Sequence, residues 1–172
     1  MNLNGEHNDV SIMRTYLAQH LMRGAGVPSS RTSYIQLYVN NEYKGLYINV
    51  EHLDDEFLDL RFPGQANGNL WKCAYGADLN WWGSNPTSYQ DVYDLKTNQD
   101  SADYTALVHF IDVLNNTPAN SFVCAIQEVM DVDLFLRTIA LEVLMGQWDG
   151  YAYNKNNYFL YQRESDGKMV YL

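Results

Sequence analysis

The sequence predicts an α+β fold, and three observations predict it. A helix-spaced segment opens the chain, a β-rich hairpin follows it, and a run of helices then leads through a loop into a second hairpin. Strands and helices therefore come in blocks. With 172 residues, 47% of them hydrophobic and 14% aromatic, the chain can bury the core of one domain or of two small lobes of one.

Each element has a local cause. Asn8 or Asp9 caps a first helix whose apolar positions Val10, Met13, Tyr16, Leu17 and Leu21 follow helical spacing, and Gly24, Gly26 and Pro28 end it. Residues 33–39 and 43–50 are β-rich and joined by "NNEYKG", whose Asn and Gly suit a tight reversal. "EHLDDEFLDLRF" reads as a short acidic helix, followed by a loop marked by Pro63, Gly64, Gly68 and Asn69. "NLWKCAY" is a strand and "YDLKTN" an extended piece, with an irregular aromatic stretch around Trp81 and Trp82 between them.

Residues 101–115 resume helical spacing through Tyr104, Leu107, Val108, Ile111 and Leu114, and 121–130 form a shorter helix. Asp131 or Asp133 caps the most apolar helix, with Val132, Phe135, Leu136, Ile139, Ala140, Val143 and Leu144 around much of its girth. A helix so apolar is expected inside the core of a helical lobe. It ends at Gly146, and "NYFLYQ", the turn "ESDGK" and "MVYL" make the second hairpin. The expected division is a small antiparallel sheet lobe with a hinge-like segment over about 1–62, an aromatic insert over 63–100, and a helical lobe with loop and hairpin over 101–172.

The formal net charge of −10 repels nucleic acid and anionic membrane, so neither is expected as a partner, and a basic or metal-neutralised partner suits the chain better. No apolar run reaches the length of a membrane span. Cys73 and Cys124 stand far apart without ligand-spaced neighbours, which argues against a zinc site or a disulfide framework. His7, His20, His52 and His109 have no partner spacing for a metal or a Ser-His pair. Asp54, Asp55, Glu56 and Asp59 read as a solvated helix face.

The stretch "GQWDGYAYNKNNYFLY" is the candidate for chemistry. A helix there delivers one acid, Asp149, into a loop rich in Asn that runs into a strand. In protein kinases an Asp so placed accepts the substrate hydroxyl proton and an Asn five residues later binds magnesium, which is the spacing of Asp149 and Asn154. The plainer alternative is that Asp149 caps a turn and the Asn side chains serve the loop backbone.

"LNGEHNDVSIMRTYLAQHLMRGAGVPSSRTSYIQLYVNNEYKGLYINVEHLDDEFL", "GNLWKCAYGADL", "YDLKTN", "FIDVLNNTP" and "DVDLFLRTIALEVLMGQWDGYAYNKNNYFLY" resemble, in order, the successive blocks of the CotH kinase family, the spore-coat-type atypical protein kinases. The resemblance spans nearly the whole chain. It implies a kinase-like fold that uses ATP and Mg2+ to phosphorylate Ser-rich protein substrates. It places the catalytic role on Asp149, in the family's "WD" position, and favours Asn157 over Asn154 as the magnesium ligand. Family members continue into "PWDLD", whose acid plays the metal-binding part, and have strands upstream. By that resemblance the chain is truncated at both ends and inactive alone. Family habit also points to a spore coat or a secreted or cell-surface bacterial protein.

Two further cofactor candidates are Glu51, from kinase-like order, and Lys72, from its place in the family block "NLWKC". Glu51, where a hinge would run, is a candidate for adenine, against an ordinary strand-end Glu. Lys72 is a candidate for phosphate, against a surface lysine. Arg14, in the family's "MR" pair, is a candidate for an ion-pair network, against a plain surface position. Trp81 and Trp82, with Tyr75 and Tyr89, offer a stacking platform, although aromatics in an insert more often pack it down. The alternative to a phosphotransferase is a non-catalytic adhesion or binding module with a kinase-like fold.

Overall fold

The computed structural model describes residues 2–172 and resolves two compact units, Met1–Arg61 and Phe62–Leu172. The first holds β1 (Asn2–Asn4), α1 (Arg14–Gly24), β2 (Thr32–Val39), β3 (Glu42–Val50) and α2 (Asp55–Arg61). Its sheet is antiparallel in the order β1-β3-β2. The β2–β3 reversal sits on Asn40 and Asn41, both at positive φ (51° and 64°). Two such residues give the turn whose twist matches the flanking strands. β1 went unpredicted because its three residues, Asn-Leu-Asn, carry almost no apolar pattern.

The first helix begins at Arg14, later than the capping signal suggests. Asp9 accepts the Met13 and Arg14 amides with one oxygen and the Ser11 amide with the other, so it caps a turn ahead of the helix. Val10 therefore lies outside α1 and is fully exposed, and no residue of α1 is buried. In α2 the Asp54 carboxylate accepts the Phe57 amide at 3.2 Å, while Phe57 and Leu58 face inward and Asp55, Glu56 and Asp59 outward.

The second unit holds β4 (Leu70–Cys73), a 3-10 turn at Pro86–Tyr89, β5 (Tyr93–Leu95), α3 (Thr105–Asn116), α4 (Phe122–Val129), α5 (Val132–Met145), α6 (Tyr151–Asn154), β6 (Tyr158–Gln162) and β7 (Met169–Tyr171). Its sheet is antiparallel in the order β5-β4-β6-β7. The lobe expected to be helical thus carries the larger of the two sheets. The stretch expected as an aromatic insert supplies β4 and β5, with Trp71 and Cys73 on the face that also bears Leu95, Tyr93, Leu160 and Tyr158. Period-two alternation sends those side chains into one core with α3, α4 and Met130. Trp82 stacks on Tyr89 (5.3 Å between centroids) and Trp81 packs against that core, so the tryptophan pair pins its loop down. Tyr75 stays exposed.

The expectation that α5 is a core helix is overturned. Only Leu134, Thr138 and Glu142 are buried, whereas Leu136, Val143 and Leu144 are exposed at 60%, 68% and 75%. An apolar girth does not by itself decide burial. α5 lies along β7 and shows one narrow face to it, anchored where the Asp131 amide donates to the Met169 carbonyl (2.9 Å) and the Asp131 carboxylate caps Leu134. α3 is shorter than predicted, because residues 101–104 precede it and Tyr104 turns its hydroxyl to the Tyr93 carbonyl. Among the described residues no helix is long and apolar enough to cross a membrane.

Candidate active site

The loop after α5 is built from its backbone. Gly146 takes φ 69°, the left-handed conformation that closes a helix, and the Gln147 amide returns to the Glu142 carbonyl at 2.8 Å. Trp148 then stands two-thirds exposed, and Asp149 is half-buried. The predicted Asn-rich loop contains one helical turn, α6, whose Asn154 amide donates to the Gly150 carbonyl. Lys155 ends it at φ 53°, and its ammonium lies on the Tyr151 and Ala152 carbonyls and over the Tyr151 ring. A cation at the carbonyl end of a helical turn meets the orphaned acceptors there.

Asn157, also at positive φ (53°), turns the chain into β6. The next residue, Tyr158, is buried and donates its hydroxyl to the Ala77 carbonyl at 2.6 Å, and the Gly76 amide donates to the Lys155 carbonyl. The loop is thereby tied to the segment after β4.

These turns converge three amides on one acid. Asn154 donates to Asp149 Oδ1 at 2.7 Å, Asn156 to the same oxygen at 3.4 Å, and Asn157 to Oδ2 at 2.7 Å. Of the residues named from sequence, the structure brings Asp149, Asn154 and Asn157 together. Asn156 was missed, although the run "NKNN" pointed to it. The left-handed Lys155 is what lets residues 154, 156 and 157 all reach the same side chain, and spacing alone does not show that.

The other candidates lie on other elements. Lys72 is exposed on β4, opposite Asp94 on β5 and Phe159 on β6. Glu51 belongs to the first unit. Its carboxylate binds the Arg31 amide and guanidinium and the Arg61 guanidinium, while its carbonyl accepts the Ser30 hydroxyl. Burial opposes its charge, but the Arg31 hydrogen bonds and the two guanidiniums outweigh it and hold the carboxyl below its ordinary value. Arg14 pairs with the buried Glu6 carboxylate at 3.8 Å and donates to the His7 carbonyl at 2.6 Å.

Beneath the loop lies a second acid that the sequence reading did not single out. Glu142, in "TIALEVLM", is 9% exposed and accepts the Tyr171 hydroxyl. Burial pushes its carboxyl up, offset in part by that hydroxyl. An acid inside an apolar helix was the available signal.

Among the described residues no cluster of three or more His, Cys, Asp or Glu side chains could hold a metal ion. The Asp149 cluster instead offers one carboxylate and three amide groups. The amide nitrogens, not the oxygens, face the acid. A carboxylate and amide oxygens are the donor types magnesium takes alongside waters and phosphates, and presenting them together here requires the amides to turn oxygen-inward.

Fold and site together define an α+β protein that presents an asparagine-ringed aspartate at a helix-to-strand junction. The chain belongs to the CotH family: the family model described as CotH kinase protein matches residues 1–172. It is 27% identical over 173 residues to inner spore coat protein H of Bacillus subtilis (strain 168), covering 97% of this chain and 46% of that protein. It is 23% identical over 170 residues to invasin CotH3 and 27% identical over 177 residues to invasin CotH7, both of Rhizopus delemar, covering 95% of this chain and 28% of each relative. The chain therefore spans less than half the length of these curated relatives.

Proposed function

We propose that the chain is the part of an ATP- and magnesium-dependent protein kinase domain that carries the catalytic base, with a kinase-like fold. The observation that carries this reading is the convergence of Asn154, Asn156 and Asn157 on Asp149, and the family's description as a kinase protein supports it. Magnesium would neutralise charge on the nucleotide phosphates; Asn157 first, then Asn154, would hold it through their amide oxygens once the amide nitrogens are turned from the acid. Asp149 accepts the hydroxyl proton of the substrate, and the three amides, bonded to both of its oxygens, fix its rotamer. Lys72 remains the candidate for phosphate and Glu51 the candidate for adenine. The net charge of −10 favours a basic protein substrate, the family resemblance implies a Ser-rich one, and the names of the relatives favour a spore-coat or cell-surface setting.

The deciding experiment is Asp149→Asn in the full-length gene product, assayed with radiolabelled ATP. Transfer is expected to fall by about a hundredfold or more, the range for losing a general base, and transfer at the wild-type rate would refute the assignment. Over a magnesium titration, Asn157→Ala is expected to be more impaired at low magnesium than Asn154→Ala; the reverse order would move the ligand role to Asn154.

A non-catalytic binding module is the second reading. The exposure of Trp148 and Tyr153, at 66% and 76%, on the same loop favours it. If no transfer is detected and Trp148→Ala weakens attachment to a host or coat protein, that reading replaces the first.

A further inference from the structure

We propose that Glu142 and Tyr171 are positioning residues that clamp the Asp149 loop from below, a role that rests on the reading of Asp149 as the base. Glu142 touches the loop on both sides of Asp149. Its carbonyl accepts the Gln147 amide at 2.8 Å. Its carboxylate lies against Gly150, where an added Cβ would come within 3.4 Å of Oε2. Gly150 is buried in extended backbone, so the chain passes directly over the acid.

Tyr171 completes the clamp from β7. It is 1% exposed and donates to Glu142 Oε1 at 3.1 Å, with Oε2 at 3.4 Å. Its ring meets Tyr151 edge-on, stacks on Tyr158 (5.3 Å, 20°) and takes Phe135 edge-on. Burial and the Glu142 charge push the Tyr171 phenol up. The Glu142 carboxylate lies against Gly150 and the Tyr171 ring against Tyr151, so the carboxylate–phenol pair backs the two residues that follow Asp149, while the Glu142 main chain holds Gln147 ahead of it. A buried acid is costly unless hydrogen-bonded, and an apolar residue would fill an ordinary helix face at lower cost. The acid at this place is explained by what it holds.

Three variants of this chain test the clamp by amide hydrogen exchange: Tyr171→Phe, Glu142→Ala and Glu142→Gln. Tyr171→Phe keeps the ring packing, so it remains informative should Glu142→Ala fail to fold. Exchange at residues 150–154, where the Asn154 amide is bonded to the Gly150 carbonyl, is expected to quicken about tenfold in Tyr171→Phe and Glu142→Ala, the change that one buried hydrogen bond carries. Glu142→Gln, whose amide oxygen still accepts the hydroxyl, should stay near wild type. Unchanged exchange there in Tyr171→Phe, or equal quickening throughout α3, overturns the clamp.

In the full-length gene product the same two variants should lower kcat while leaving KM for ATP unchanged. Local quickening with kcat intact, in a background where Asp149→Asn is inactive, overturns the positioning role. If Asp149→Asn is instead active, the base assignment is what fails, and exchange alone decides whether the pair holds the loop.

Discussion

In the first unit the fully buried apolar side chains are Ile48, Phe57 and Leu58, whereas the second buries Trp71, Tyr89, Tyr93, Tyr158, Tyr161, Tyr171, Phe110, Leu70 and Leu107 completely. The first sheet leaves Tyr34, Tyr38, Val39 and Tyr43 exposed. That unit relies on strand pairing and on the Glu51 carboxylate shared by Arg31 and Arg61. The second relies on aromatic packing with buried hydroxyls placed on carbonyls, as Tyr104 on Tyr93 and Tyr158 on Ala77. The difference explains where a loop can be held to tolerance: the Asp149 loop is rooted in buried, close-packed rings.

The largest test of this contrast is Trp71→Ala, which empties the centre of the second core and is expected to cost about 3–5 kcal/mol. A denaturation curve with a loss below about 1 kcal/mol would mean that the core is not the support. Glu51→Gln comes next, at roughly 2 kcal/mol, because it removes a charged acceptor from two guanidiniums. Its folded carboxyl sits below the ordinary 4.5, so its contribution is full above about that pH and lost as pH falls through the folded value. The gap between wild type and Glu51→Gln should therefore close in acid.

Glu142 has the opposite sign. Its carboxyl is raised by burial, so its charge costs nothing below the ordinary 4.5 and costs more as pH climbs to the folded value. Glu142→Gln should thus gain on wild type as pH rises, measured by thermal melts across pH, and parallel pH profiles for the two glutamate variants would remove the contrast. Tyr158→Phe removes the donor to the Ala77 carbonyl, with an expected loss of about 1 to 2 kcal/mol. The smallest effect belongs to Leu144→Glu on the outer face of α5, within about 0.5 kcal/mol of wild type. A large loss there would return α5 to the core.

Element types were largely legible because their signals are local. Helix periodicity over α3 and α4, the Asn40–Asn41 reversal and the Gly146 stop each act within a few residues. Burial was not legible on α5, where an apolar girth hid which side meets β7. The site was half legible. Asp149, Asn154 and Asn157 stood out in "WDGYAYNKNN", but Asn156 needed the left-handed turn at Lys155, and Glu142 needed Tyr171, twenty-nine residues away along the chain.

By itself, the sequence determined the α+β order of elements, the acidic surface charge and the Asp and Asn side chains available after α5. Those follow from short-range propensity, capping and composition, which do not depend on what a segment packs against. Only the tertiary structure decided that β4 enters between β5 and β6, that α5 buries one narrow face, and that three amides and a buried glutamate–tyrosine pair meet around the Asp149 loop. Those outcomes depend on strand register and on pairing between residues distant in sequence, and such contacts leave no periodic trace in the chain that makes them.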